Sequence, residues 1–345
     1  MEPEPDAVKH ARLLGQAVAW ADVKGFNYQP SYGTTGYELW RAFDAERIEL
    51  ELTRAREHFP RINALRWWLS WDAFERDADG FARDFEAALA LAARHGLAVM
   101  PVLFNRWHSP VTDYGGVYLD HFLPGVSWLQ RRGSTAADGA TWRPEHGEGI
   151  FDDFLDRVVG AHAGDERVFA WDLCNEPFSY ECQLEQVPSV VVEAEHAWLA
   201  RVAERCRRLD PATPRGISVH PLHGVDGLRL VEPLCDVLLV HPYFDNEDGL
   251  LDGYVAVAAE SGKPLLATEV CWGSLDDARR ARIVRATLTA LRERGIGWLA
   301  YVLHHSLVID AHRPEHGPIN EAIGALHFIE RDGSLRPGHG VFNDF

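Results

Sequence analysis

A chain of 345 residues, 46 % hydrophobic and 25 % charged, has the profile of a globular protein, and a core of this size needs no disulfide or metal staple. Asp and Glu outnumber Lys and Arg by 52 to 34, a net charge of −18 with no basic run, so neither a nucleic-acid partner nor an anionic membrane surface is expected. The odd, scattered set of cysteines (Cys174, Cys182, Cys206, Cys235, Cys271) holds no C-x-x-C pair, residues 1–20 lack a basic-then-apolar secretion pattern, and no apolar run approaches the roughly 18 residues of a membrane span; a cytoplasmic location is the expectation.

In chain order, short β-type runs alternate with helix-type stretches. Residues 23–30 (VKGFNYQP) read as a first strand and 44–58 as a charged amphipathic helix. Residues 62–71 (INALRWWLSW) form a second strand, followed by a helix over 81–95 with Phe81, Phe85, Leu89 and Ala92 on one face. The nearly continuous apolar run 97–104 (LAVMPVLF) suits a strand buried on both faces. Residues 105–149 interrupt the rhythm as a loop insertion after strand three, and the aromatics Tyr114, Tyr118, Trp128 and Trp142 favour an ordered active-site rim.

The alternation resumes with a helix at 150–163, a fourth strand at 168–177 (VFAWDLCNEP) and a long helix at 190–208. Strands five to eight follow at 214–220, 235–244, 263–272 and 297–306, with a clear helix at 275–294 that starts on Asp276-Asp277 and stops at Gly295. A closing helix is expected over 319–328. Eight such units predict a single (β/α)₈ barrel spanning 1–345.

Chemistry in such barrels sits at the C-terminal mouths of the strands. The polar residues there are Arg66 on strand two, Asn105 and His108 after strand three, Asn175 and Glu176 on strand four, His241 and Tyr243 on strand six, Glu269 on strand seven and His304-His305 on strand eight. Two glutamates on strands four and seven face one another across the pocket. Glycoside cleavage needs such a pair, one carboxyl protonated and one ionised. Arg66 is a device for keeping Glu269 ionised, because a nearby cation lowers a carboxyl pKa.

These strings resemble a known family. W-D-L-C-N-E-P at 171–177 resembles the Asn-Glu-Pro signature of glycoside hydrolase clan A, and A-T-E-V-C-W-G at 267–273 its nucleophile strand. N-A-L-R at 63–66 and H-P-Y at 241–243 are similar to the Asn-x-x-Arg and His-x-Tyr of family 5, the cellulase- and mannanase-like enzymes. The resemblance implies a retaining hydrolase of a β-linked glycoside, with Glu176 as acid/base and Glu269 as nucleophile. It implies Asn175 on the sugar 2-hydroxyl, Tyr243 and Arg66 on Glu269, and His241 in the same subsite. It departs at strand eight, where a tryptophan floor is usual and the run ends Leu303-His304-His305. Trp272 or Trp298 is the alternative stacking face, and His304 a candidate substrate contact. Trp107, Trp272 and one of the insertion aromatics are expected to touch sugar.

The expected partner is a small-molecule or oligosaccharide substrate, with exo action on short chains preferred and no cofactor or metal. Two rivals stand beside this reading. A metal-dependent barrel enzyme is suggested by 17 histidines with His108, His220, His241 and His304 near strand ends, although no H-E-x-x-H occurs. A non-hydrolytic sugar-binding barrel is the other.

Overall fold

Apolar segments with almost every side chain buried line up as parallel strands and close on themselves in the computed structural model, which describes residues 9–106, 149–179, 189–243, 249–308 and 324–345. The barrel strands are β3 (Lys24–Tyr28), β4 (Ala64–Trp68), β5 (Ala98–Val102), β6 (Trp171–Asn175), β7 (Arg215–Val219), β8 (Leu238–Val240), β9 (Leu265–Val270) and β10 (Gly297–Ala300). Each pairs in parallel with its sequence neighbour, and β10 pairs with β3 to complete the ring. This is a (β/α)₈ barrel. Of the insertion expected at 105–149, residues 107–148 lie outside the described residues, and with them Trp107, His108, Tyr114, Tyr118, Trp128 and Trp142.

The helices form where the sequence supplies a cap and an apolar stripe. Asp44 accepts from Arg47 N ahead of α2 (Ala45–His58), after α1 (Gly36–Arg41). Asp77 accepts from Gly80 N at the start of α4 (Ala78–Arg94), which follows α3 (Trp71–Arg76). Each such cap contributes about 1 kcal/mol. The further helices are α5 (Asp152–Val158), α6 (Ser189–Leu209), α7 (Gly224–Val231), α8 (Leu250–Ser261) and α9 (Asp277–Glu293). Helix α9 is the one expected at 275–294: Asp276 caps it, and Gly295 ends it at φ +66°. No described helix is long and apolar enough to cross a membrane.

The barrel interior is divided by chemistry. At the N-terminal end Ala64, Ala98, Met100, Leu239, Leu266 and Leu299 pack together and are covered by Trp20, Leu13 and Ala11. The last two come from a hairpin the sequence reading did not anticipate, β1 (His10–Leu13) and β2 (Gln16–Ala19), joined by Leu14 and Gly15 at φ 49° and 79°. Towards the C-terminal end the buried residues turn polar: Asn27, Arg66, Asp172, Ser218, His241, Thr268 and Glu269.

Two expectations are corrected. The strand expected at 297–306 ends at Ala300, and the described part of the expected closing helix, 324–328, is not helical. The backbone explains both. Val302 N donates to Leu326 O and Ile329 N to Leu303 O, so the polar groups a helix would need are spent pairing this segment with the exit of β10. Residues 319–323 lie outside the described residues.

Candidate active site

Arg66 rises from the middle of β4 into the interior, fully buried, and its guanidinium is surrounded by acceptors. Its Nε and an Nη donate to Asp172 Oδ2 at 2.9 and 2.8 Å, and further donations reach Asn27 Oδ1 at 3.0 Å and Ser218 Oγ at 3.0 Å. The remaining partners are Asn175 Oδ1 at 2.6 Å and Glu269 Oε1 at 2.5 Å. Burial works against this charge, but the carboxylates of Asp172 and Glu269 outweigh it and hold the Arg66 pKa above its ordinary value. The ring of Trp68 lies 4.4 Å from the guanidinium carbon and covers one face.

Glu176 follows the last residue of β6. Its N–H donates to Ser218 O, and its backbone takes φ 47°, a left-handed conformation uncommon outside glycine. His241, the residue after β8, has its Nδ1 2.6 Å from Glu176 Oε1 and 3.8 Å from Glu269 Oε2. Burial, with Arg66 and His220 nearby, pushes the His241 pKa well below its ordinary value, so the ring is neutral and donates from Nδ1 to Glu176. Tyr243 donates its hydroxyl to Glu269 Oε2.

Burial pushes the Glu269 carboxyl above its ordinary range. The Arg66 cation and the donors from Tyr243 and Arg66 oppose this shift, while Asp172 adds to it. One oxygen each of Glu176 and Glu269, with one His241 nitrogen, all lie within 4.8 Å of one another.

The structure thus brings together Arg66, Asn175, Glu176, His241, Tyr243 and Glu269 of the residues singled out from sequence. Asn105 joins them, since Asn175 Nδ2 donates to Asn105 Oδ1 at 2.9 Å. Trp272 is half-buried at the edge, its ring 5.1 Å from that of Tyr243. Trp298 is elsewhere, packed under Lys24 and against Phe345. His304 is not part of the cluster either. Its Nε2 accepts from Arg54 at 3.1 Å and its Nδ1 donates to His305 O at 2.9 Å, leaving the side chain 1 % exposed.

Three residues were missed. Asp172 and Asn27 share Arg66 with Glu269, and Tyr301 occupies the mouth of the eighth strand, its ring 6.0 Å from Trp68 and 6.3 Å from Tyr243. The signal for Tyr301 is its place in the apolar run 297–306, one residue past the strand's end at Ala300.

No protein-family model matches the chain. A curated protein of Oryza sativa subsp. japonica, named for mannan endo-1,4-β-mannosidase, is 27 % identical over 184 residues, 49 % of this chain and 34 % of its own length. The chain thus matches about a third of that relative. Among solved structures, an exo-β-1,4-mannosidase from Opitutaceae bacterium strain TAV5 superposes with a TM-score of 0.70 at 19 % identity, covering 100 % of this chain and 62 % of its own. A glycoside hydrolase family 5 mannosidase from Rhizomucor miehei gives a TM-score of 0.62 at 13 % identity, covering 93 % and 92 %.

The chain resembles the family 5 barrels of clan A. The structural likeness extends the fold over nearly the whole chain; Glu176 follows β6 and Glu269 lies within β9.

Proposed function

We propose that the chain is a one-domain glycoside hydrolase that cleaves β-mannosides by double displacement with retention. The observation that carries this reading is the approach of Glu176 and Glu269 oxygens to within 4.8 Å. Retaining pairs stand about 5–5.5 Å apart, whereas inverting pairs leave about 6.5–9.5 Å for a water.

The surroundings divide the roles. Glu269 receives a guanidinium N–H and a phenol O–H, so the ionised form is better supported there. Glu176 has the neutral His241 ring 2.6 Å from its Oε1, where Glu269 has a guanidinium, so the proton belongs on Glu176. In the first step Glu269 attacks the anomeric carbon while Glu176 gives its proton to the departing oxygen. In the second, Glu176 takes a proton from water, which attacks the anomeric carbon and releases Glu269. Asn175, its Oδ1 fixed by Arg66, keeps a second amide proton for the sugar 2-hydroxyl. Trp272 and Tyr301 offer faces on which the ring can stack.

The mannoside preference rests on relatives whose names carry it, and exo action on short chains completes the reading. A panel of aryl β-mannoside, β-glucoside and β-galactoside, run on wild type and on Glu269→Gln, tests it. The expected result is turnover of the mannoside, lost by more than about 10³-fold in the variant. Full activity in Glu269→Gln, or silence on every β-glycoside and on manno-oligosaccharides, refutes it. Exo action predicts that mannotetraose yields mannose as its first product.

One observation speaks for the metal-dependent rival: Glu176, His241 and Glu269 could together hold a cation. Arg66, at 2.5 Å from Glu269, already supplies the positive charge such an ion would bring and would repel it. Activity is therefore expected to survive dialysis against EDTA unchanged.

A further inference from the structure

Beneath the acid/base loop lies a buried ion pair that no step above uses. Glu195, in the second turn of α6, is fully buried, and its Oε1 accepts from Arg106 Nε at 2.8 Å. Arg106 is itself 5 % exposed, so both charges have been taken out of water, an arrangement that seldom adds stability by comparison with apolar packing. The same oxygen also accepts from Phe178 N at 2.9 Å. Phe178, two residues past Glu176, takes φ 61°, and Glu176 takes φ 47°. Two left-handed non-glycine residues flanking Pro177 are costly, on the order of 1–3 kcal/mol each, and persist only when their surroundings hold them.

What holds them comes from both sides. Arg106 N donates to Asn175 O at 2.9 Å and Asn175 N to Phe104 O at 2.8 Å, so the chain leaving β5 is laced to the chain leaving β6 just before Glu176. Ser179 Oγ donates to Glu176 O at 2.7 Å just after it. Glu195 is where the two sides meet: one carboxylate oxygen grips the guanidinium of the first chain and the backbone of the second.

We propose that Glu195, through Arg106 and the Phe178 N–H, is a positioning residue that sets the aim of the Glu176 carboxyl at the glycosidic oxygen. The inference rests on the assignment of Glu176 as acid/base. Glu195 touches no substrate. Its effect appears only in steps that need a proton delivered or removed, because a shift in the loop changes the reach of Glu176 and leaves Glu269 on β9 where it was.

Glu195→Gln keeps the volume and an acceptor but removes the charge that holds Arg106. The test measures kcat/KM on two aryl β-glycosides of the accepted sugar, one with the acidic 2,4-dinitrophenol as leaving group and one with plain phenol, for wild type, Glu195→Gln and Glu176→Ala. Departure of phenol needs the acid, whereas dinitrophenolate leaves without it. The expected result is a loss on the phenyl substrate at least about tenfold greater than on the dinitrophenyl one. Equal losses on both substrates, or none, overturn the proposal, since a merely structural role would lower both together. Should Glu195→Gln fail to fold, the neutral double variant Arg106→Gln/Glu195→Gln, which leaves no unpaired buried charge, is read in the same way. If Glu176→Ala itself shows no leaving-group dependence, the acid/base assignment falls and the inference with it. A dependence in Glu176→Ala but not in the Glu195 variants removes the inference alone.

Discussion

Glu269 stands under opposing demands: burial raises its carboxyl pKa, and Arg66 and Tyr243 hold it down. Tyr243 is the partner that can be removed without leaving a buried charge unpaired. In Tyr243→Phe the carboxylate loses one donated hydrogen bond, so its pKa rises. In the proposed role of nucleophile Glu269 acts only when ionised, so the acid limb of the kcat/KM profile is expected to move to higher pH, by about one unit. An unmoved or lowered limb would mean that the phenol does not stabilise the ionised form. At this scale the sequence was informative where a charged residue ends an apolar run, as Arg66, Glu176 and Glu269 do. It was silent on Asp172. Asp172 and Asn175 are an odd number of positions apart, which in a regular strand puts them on opposite faces. The register shifts between them, and both reach Arg66. A strand irregularity of this kind leaves no mark in a pattern of residue types.

The segment after β10 shows the limits of periodicity at the scale of elements. A closing helix is expected over 319–328, yet the described part of that segment pairs its backbone with the strand exit beside it, at Val302 and Leu303. The N-terminal hairpin escaped for a similar reason: four-residue strands carry too little pattern to register. The polar anchoring of the C-terminal segment has a measurable consequence. His304 and His339 are pushed by burial down to about 4, and each donates from Nδ1 to a backbone carbonyl. The folded state therefore holds fewer protons on them than the unfolded chain does. Their contribution is complete above the unfolded pKa of about 6.5 and is lost as pH falls towards 4, on the order of 3 kcal/mol for each. Tm is expected to drop steeply over that interval, and His339→Asn, which can keep the hydrogen bond to Pro337 O but cannot titrate, should flatten the drop. Parallel curves for the two proteins would refute this account.

For the whole molecule the barrel class was legible from the alternation of eight buried runs with capped helices, because that pattern has few other solutions. How the ring closes was not. On the two strands that close the ring, a Cβ on Gly25 of β3 would stand 1.8 Å from Ala64 O of β4 and one on Gly297 of β10 2.1 Å from Trp20 O, both backbone atoms that no rotamer change can move. Gly25→Ala is expected to cost about 3 kcal/mol or more in urea denaturation. Gly96→Ala, at φ +67° but with open space around it, should cost about 1 kcal/mol, the strain of the left-handed backbone alone. Equal costs at the two positions would show that the seam is not tightly constrained.

The partners of Arg66 come from β3 (Asn27), β6 (Asp172, Asn175), β7 (Ser218) and β9 (Glu269), so with β4 the one guanidinium joins five of the eight strands. A slip of one residue in any of them would turn its partner out of the interior and strand a buried cation. The side chain proposed to hold Glu269 ionised is thereby also a proofreader of strand register: a misassembled barrel is penalised at the same buried cation. A substitution at this centre is therefore constrained twice over, by the site and by the ring that carries it.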